Sequence, residues 1–365
     1  MPSIDEEINR LQEEIHKTQY NKATEHHIGR IKAKLAKLEK TKEERSRKGG
    51  GGTGFFIKKG IYPTVALVGP PSVGKSSILN SITNADSRVG EFDFTTLTIV
   101  PGIMEYKDMK FRILDLPGII EGANEGKGRG REVISVLRNV DLILIILDPF
   151  KFKINYILNE LNKTGIRINQ HPPKMSIIYN ERGGINITTT KNIELDMELF
   201  SAVAREFGVV NADIVIRENL TVERFIDGLL GNRSYIDALF ILNKSDLPEF
   251  REAYESLRKE NIDPVPLSIN KHKNVTLLKS KIASSIKMIK IFLQAPDKEN
   301  LNNEPLVLRA GSSVEDVCRA VHRDFIEKFK FAQITGKSVK FPNQQVGLDH
   351  IVENGDKLAL FIKKG

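Results

Sequence analysis

The sequence has one cysteine and no long apolar run, and each shortage excludes a class of protein. The lone Cys318 cannot form a disulfide within the chain. A single thiol, together with no recognisable signal peptide, leads us to expect a reducing compartment. The longest apolar stretch, Leu142–Leu147, is far too short to cross a bilayer and is typical of a buried strand. We therefore expect neither a disulfide scaffold nor a membrane protein.

The chain is long, rich in apolar residues and positively charged. It has 365 residues, of which 40% are hydrophobic, so about two or three domains with real cores are expected. The formal net charge is +8 at pH 7. This excess indicates an anionic partner such as RNA, although moderate basicity alone does not identify one.

The segment 1–48 predicts an N-terminal helical hairpin. Ser3 and Glu6 have the spacing of a capping box. Apolar residues then recur at helical spacing in two stripes, Ile4, Ile8, Leu11 and Ile15, then Ile28, Ile31, Leu35 and Leu38. Basic side chains are in excess over acidic ones in residues 30–48. This excess indicates either a solvated helix face or a contact surface for RNA or an acidic protein. A glycine-rich linker, 49–60, follows.

A glycine-rich stretch between a predicted strand, Thr64–Val68, and a predicted helix is the strongest motif. It fits the phosphate-loop pattern and reads Gly69-Pro70-Pro71-Ser72-Val73-Gly74-Lys75-Ser76. Its backbone N–H groups can point at phosphate oxygens, and the helix that continues through Ser77 adds its positive dipole end. Lys75 can reach the β- and γ-phosphates, and the Ser76 hydroxyl can bind Mg²⁺. A glycine turn that binds nothing is the alternative, which the strand and helix disfavour.

A second motif ends the predicted strand Lys110–Leu114 and reads Asp115-Leu116-Pro117-Gly118. The Asp115 carboxylate can hold Mg²⁺ through water, and the Gly118 N–H can meet the γ-phosphate. Between the first helix and this strand lies Phe94-Thr95-Thr96-Leu97-Thr98. A mobile loop must supply a hydroxyl to Mg²⁺ here when the γ-phosphate is present, and we favour Thr96 over Thr95. The alternative is an ordinary β-branched strand.

A third motif, Asn243-Lys244-Ser245-Asp246, follows the predicted strand Leu239–Leu242 and indicates a guanine base. The Asp246 carboxylate can accept from both N–H groups that guanine offers and adenine lacks. Ser268-Ile269-Asn270 could close over the base, with Ser268 and Ile269 in contact. In open α/β sheets, ligands bind where strands end at their carboxyl side, and all these motifs follow strands.

The alternation of strands and helices over 61–291 predicts an α/β domain with a mainly parallel sheet, and the motifs within it make it a P-loop domain of the GTPase kind. More residues separate the Leu142 and Leu239 strands than one crossover helix needs, so we expect a small α+β insertion at about 165–230. The segment 292–365 predicts a β-grasp domain, in which Ser312 with Glu315 would cap a helix that runs through about Phe325. Its aromatic residues can stack on bases or fill a core, and they alternate with lysines: Lys328, Phe329, Lys330, Phe331, Lys337, Lys340 and Phe341.

With these motifs in place, the chain resembles the developmentally regulated GTP-binding proteins, a branch of the Obg-related GTPases. The resemblance runs nearly end to end and is most specific over Asp115–Ala123 and Gly126–Arg131. It implies a cytoplasmic GTPase linked to ribosomes and translation, with a C-terminal TGS domain. It also implies a stabilising partner of the DRG-family-regulatory type. Mg²⁺ is the expected cofactor, and K⁺ near Ser72 is a second candidate.

The residue after Gly118 bears on the reaction rate. Many GTPases orient the attacking water with a glutamine there, but this chain has Ile119, whose aliphatic side chain cannot hold a water. We therefore expect slow intrinsic hydrolysis, name Lys75 and Thr96 as the catalytic residues, and assign no general base. Two alternatives stay open: a nucleotide-dependent binding module with negligible turnover, and a P-loop ATPase or kinase, against which Asp246 argues.

Overall fold

The computed structural model describes residues 3–19, 21–22, 24–48, 62–83, 100–107, 109–116, 129–190, 193, 195–294, 305–321 and 324–362. The chain divides into two compact units. The first comprises residues 1–54 and 170–235, and the second comprises 55–169 and 236–365. The amino-terminal hairpin and the predicted insertion therefore belong to one unit, a relation that nothing in the sequence indicates.

The helices and strands follow in chain order. The hairpin consists of α1 (Ile4–Lys17) and α2 (Glu25–Lys48). The second unit then contributes β1 (Thr64–Val68), α3 (Lys75–Ile82), β2 (Val100–Tyr106), β3 (Met109–Asp115), α4 (Arg129–Leu137), β4 (Leu142–Leu147), α5 (Ile154–Lys163) and β5 (Ile166–Ile168). The first unit resumes with β6 (Met175–Tyr179), β7 (Ile185–Thr189), α6 (Met197–Glu206), β8 (Ala212–Ile216) and α7 (Val222–Leu230).

The remaining elements belong to the second unit, apart from the first two residues of β9. The nucleotide domain is completed by β9 (Ser234–Leu242), α8 (Phe250–Lys259), β10 (Val265–Pro266) and α9 (Val275–Ser285). The C-terminal part contains β11 (Met288–Gln294), β12 (Leu306–Arg309), α10 (Val314–Val321), α11 (Asp324–Glu327), β13 (Phe329–Thr335), β14 (Gln344–Val346) and β15 (Lys357–Ile362). The expected domain boundary between 291 and 292 thus falls inside β11.

The mainly parallel sheet predicted for the nucleotide domain is confirmed. Its strand order is β10-β9-β4-β1-β3-β2, with β5 paired to β9. Neighbours from β10 to β3 run parallel, and only the edge strand β2 pairs antiparallel with β3. Every residue of β4 is buried, because α4, α5 and α8 pack on one face and α3 and α9 on the other. The parallel direction brings the carboxyl ends of β1, β3, β4 and β9 to one edge.

In the first unit, α1 and α2 pack together as predicted, and the Ser3–Glu6 capping box is confirmed. The insertion forms a three-stranded sheet, β6-β8-β7, whose core includes side chains from α6 and α7. A row of small residues on α2, Gly29, Ala33 and Ala36, packs against this core. A Cβ on Gly29 would lie 2.6 Å from Leu199 Cδ1 of α6. The hairpin and insertion therefore share one hydrophobic core.

The basic side chains of α2 are largely engaged within this unit. Arg30 Nε lies 3.2 Å from Glu206 Oε1, Lys34 Nζ lies 3.0 Å from Glu7 Oε1, and Lys32 pairs with Glu223. Such exposed pairs each contribute about 0–1 kcal/mol. Part of the positive charge of this helix thus serves contacts inside the unit.

The C-terminal part is a five-stranded mixed sheet, ordered β12-β11-β15-β13-β14, with α10 packed on one face. The predicted helix cap was wrong by one residue. Ser313 and Asp316, not Ser312 and Glu315, hydrogen-bond each other's backbone N–H groups. Cys318 lies on the buried face of α10, and burial raises the pKa of its thiol to about 11, so it stays protonated at neutral pH.

Candidate functional site

The loop that joins β1 to α3 has a backbone that only its glycines allow. A Cβ on Gly69 would lie 2.2 Å from Ile146 O, and one on Gly74 would lie 2.5 Å from Asn243 Nδ2. Gly74 also has a φ of +97°, in the left-handed region. Both glycines of the predicted phosphate loop are therefore required by close approach of neighbouring strands. Val73, between them, buries its side chain completely.

The predicted catalytic lysine lies within this loop. Lys75 Nζ donates to Gly69 O at 2.9 Å and to Pro70 O at 2.8 Å. Lys75 begins α3, so the N-terminal turn of that helix faces the same edge of the sheet. Ser77, two residues further along the helix, is exposed.

Two predicted magnesium ligands meet at the ends of β3 and the loop. Ser76 Oγ donates to Asp115 Oδ2 at 2.7 Å. A hydroxyl and a carboxylate are oxygen donors of the kind that Mg²⁺ prefers, and one or two such side chains are typical because the phosphates and waters complete the shell. These residues therefore fit the metal that the motif implies. Leu116, which follows, is buried in the core.

Asn243 fastens the predicted base-binding motif to the phosphate loop. Its side chain is 4% exposed, and Nδ2 donates to Val73 O at 2.9 Å. Its Oδ1 is buried without a hydrogen-bond partner among the described residues. Lys244, the next residue, has a φ of +59°, which turns its side chain from the strand direction. The end of β9 thus contacts the loop that follows β1.

Asp246 and Ser268 come together at the far end of the site. The Ser268 hydroxyl is fully buried and donates to Asp246 Oδ1. That hydrogen bond, followed by the backbone N–H of Asp246, lowers the pKa of the Asp246 carboxyl, and Lys271 and Lys273 act in the same direction. The exposed carboxylate is therefore ionised and acceptor-only at neutral pH. Ile269 is half-buried against the core.

Several predicted residues lie outside the described part of the chain. These are Phe94, Thr95 and Thr96 of the proposed mobile loop, Pro117 and Gly118 of the second motif, and Ile119. Their predicted contacts remain predictions.

Sequence reasoning missed two residues beside the site, Asp148 and Lys151. Asp148 is 2% exposed and contacts Lys244 Nζ at 2.6 Å, and Lys151 Nζ donates to Pro71 O at 2.8 Å. A signal was present, because Asp148 directly follows the apolar run of β4, just as Asn243 follows β9.

Two other kinds of site find no support. Within the described ranges, no cluster of three or more His, Cys, Asp or Glu side chains could hold a metal ion. No helix in that part of the chain has the length and apolar character needed to span a membrane. His171 instead contacts Arg224 and Glu218 in the insertion.

Comparison with known proteins identifies related chains of nearly equal length. A family described as 50S ribosome-binding GTPase matches residues 64–181, the C-terminal region of that domain matches 182–288, and the TGS domain matches 289–362. An uncharacterized GTP-binding protein of Methanocaldococcus jannaschii is 49% identical, covering 99% of this chain and 93% of the relative.

Two eukaryotic relatives have more informative names. The developmentally-regulated GTP-binding protein 1 homolog of Dictyostelium discoideum is 40% identical over 99% of this chain and 100% of its own length. Developmentally-regulated G-protein 2 of Arabidopsis thaliana is 38% identical over 99% and 92%. Together with a phosphate loop and base motif that meet at one sheet edge, these matches show that the chain belongs to the developmentally regulated GTP-binding proteins, GTPases with a C-terminal TGS domain.

Proposed function

We propose that this protein hydrolyses GTP to GDP and phosphate as a Mg²⁺-dependent molecular switch that associates with ribosomes in the cytoplasm. The observation that carries the proposal is the hydrogen bond from Asn243 Nδ2 to Val73 O, because it joins a base-recognition motif to a phosphate loop. A regulatory protein of the DRG-family-regulatory type is a further proposed partner.

The residues divide the work of binding between the phosphates and the base. The backbone N–H groups of the loop and the Lys75 ammonium would hold phosphate oxygens. Ser76 and Asp115 would hold Mg²⁺, which supplies positive charge against the phosphates when bound. Asp246, ionised and exposed, accepts from the guanine edge, and Ser268 fixes its orientation. Thr96 and Gly118 are proposed to sense the γ-phosphate.

Binding and turnover need separate tests, because a module with negligible turnover would share every contact above. Competition of GTP against ATP for the purified protein tests the base. Single-turnover hydrolysis, measured with and without ribosomes, tests the enzyme. Binding of GTP without hydrolysis under either condition would leave the binding module as the better description.

The magnesium assignment predicts a specific defect in Ser76→Ala. Loss of the hydroxyl should raise the Mg²⁺ concentration needed for half-maximal GTP binding by about tenfold or more, since even indirect partners of a metal contribute 10–100-fold. Titration of Mg²⁺ against a fluorescent GTP analogue measures the effect. Ser81→Ala, on the same helix, is the matched control.

Thr96→Ala should weaken GTP binding but not GDP binding, and equal effects on both would refute the switch assignment.

An aromatic pair supports a contact with RNA. Phe331 of β13 stacks on Phe361 of β15, with ring centroids 4.6 Å apart and planes at 18°. Both lie outside the core beneath α10, whereas Phe329 packs against that core. Lys330 Nζ lies 5.8 Å from the Phe331 ring centroid. Stacked aromatics beside lysines are the usual platform for unpaired bases.

Phe331→Leu should therefore weaken ribosome binding. It keeps apolar bulk but removes the ring, and each lost base stack is worth about 1–3 kcal/mol, or roughly 5- to 150-fold in affinity. Co-sedimentation with ribosomes measures the loss, and Ile351→Ala, also an exposed apolar residue of this domain, is the control. Nucleotide affinity should not change. Full ribosome binding by Phe331→Leu would contradict the RNA proposal. Substitution is better than truncation at 292, which would cut β11.

A further inference from the structure

Consecutive carbonyl groups of the phosphate loop each face a lysine. Lys75 Nζ donates hydrogen bonds to Gly69 O and Pro70 O. Lys151 Nζ donates to Pro71 O at 2.8 Å, and Lys244 Nζ lies 3.5 Å from Ser72 O. The last two lysines come from the loops after β4 and β9, so three separate segments converge on one stretch of backbone.

The peptide groups held by Lys151 and Lys244 are the ones that matter for an anion. In a trans peptide, the C=O of one residue and the N–H of the next point in opposite directions. Pro70 and Pro71 have no N–H, so the carbonyls of Gly69 and Pro70 have no donor on their other side. The carbonyls of Pro71 and Ser72 do, because Ser72 and Val73 follow. When these two carbonyls point toward the lysines, the N–H groups of Ser72 and Val73 point the opposite way. These are the first N–H donors of the loop after the two prolines.

Asp148 connects the two lysines. Its Oδ1 accepts from the backbone N–H groups of Phe150 at 3.1 Å and Lys151 at 2.8 Å, and its Oδ2 accepts from Lys244 Nζ at 2.6 Å. The side chain is 2% exposed, and a buried carboxylate is stable only when it is paired and hydrogen-bonded. Within the turn Asp148–Lys151, only Oδ1 of the Asp148 carboxylate accepts hydrogen bonds. Oδ2 is therefore left to accept from Lys244, which follows the neighbouring strand β9.

We propose that Asp148 is a positioning residue that sets Lys151 and Lys244 against the outer carbonyls of the phosphate loop and thereby slows the release of bound nucleotide. The inference rests on the proposed nucleotide-binding function and adds a determinant that lies outside the three sequence motifs. Its effect falls on the phosphate end of the site, so it acts on GDP and GTP alike and leaves the choice of base unchanged.

The test measures release of fluorescent GDP and GTP analogues from the full chain after a chase with unlabelled GDP. Lys151→Met keeps the apolar stem and removes the ammonium, and Asp148→Asn keeps the turn acceptor and removes the charge. Each should speed release about tenfold, as expected for loss of a charge-assisted hydrogen bond. The double variant should be faster by less than the product of the two effects, because the residues act in one network.

Lys153→Met is the matched control, since this exposed lysine lies in the same loop and makes no hydrogen bond to the phosphate loop in the described part of the chain. Thermal melting of each variant without nucleotide and competition with xanthine nucleotide complete the set. Unchanged release in Lys151→Met, or equal acceleration in Lys153→Met, would overturn the inference even if Asp148→Asn fails to fold. A wild-type chain that binds no guanine nucleotide would overturn the proposed function as well.

Discussion

Asp246→Asn should lose the preference for guanine nucleotides and gain one for xanthine nucleotides. The Asp246 carboxylate is acceptor-only, held by the Ser268 hydroxyl, and its lowered pKa keeps it ionised. An amide offers one donor and one acceptor, which opposes the two donors of guanine and suits xanthine. A site built to hydrogen-bond a substrate group can discriminate by about 10⁴-fold, so we expect GTP affinity to fall by at least about a hundredfold.

Equilibrium titration with fluorescent GTP and xanthosine triphosphate analogues measures both halves of this exchange. Asp263→Asn is the matched control, because it makes the same chemical change at an exposed carboxylate that contacts Tyr254 and Arg258 instead. The control should bind GTP like the wild type. Unchanged GTP affinity in Asp246→Asn would refute the assignment of the base site.

Turnover of GTP by the isolated protein should be slow, and a partner or cation should raise it by about a thousandfold. The reason is Ile119, which cannot orient the attacking water where other GTPases use a glutamine. A positive charge added by a partner is worth roughly 10³-fold or more in related reactions, or about 4 kcal/mol of barrier. Steady-state phosphate release, with potassium in place of sodium and with added ribosomes, measures the increase.

Ile119→Ala supplies the internal check on this prediction, and Ile120→Ala is its neighbouring control. Neither should alter the basal rate by much, because an aliphatic side chain contributes nothing to water placement. A fast basal rate that ignores potassium and ribosomes, yet collapses in Ile119→Ala, would overturn this account of the reaction.

The sequence predicted those features whose physical cause is local. Continuous apolar runs marked β1 and β4 because strands buried on both faces need no alternation. The phosphate loop was evident because its whole pattern, Gly69–Ser76, lies in one short stretch between a predicted strand and a predicted helix, although the contacts that require its glycines come from Ile146 and Asn243. Asn243 and Asp246 were found because they follow a strand, and the parallel sheet then brought them to the loop.

Features that depend on distant neighbours were missed. Asp148 and Lys151 gain their contacts from the pairing of β4 with β1 and β9, which no local pattern reveals. The helix cap shifted because Ser312 and Ser313 each have an acidic residue three positions later. The backbone N–H groups of Val314 and Glu315 donate to His350 O and Leu348 O. The Glu315 N–H is therefore not available to Ser312, and the cap forms at Ser313. The row of Gly29, Ala33 and Ala36 was not predicted, because only large apolar side chains define the helical stripes in the sequence.

That row of small residues has a consequence for how the chain folds during synthesis. The hairpin leaves the ribosome well before the helix it packs against, because the Arg30–Glu206 pair spans 176 positions. At about 5–20 residues per second, the hairpin waits on the order of ten seconds or more for its partner surface. Throughout that interval the Ala33–Ala36 face of α2 has no core to join, so the nascent chain presents an unfinished surface to chaperones until residue 230 has been translated.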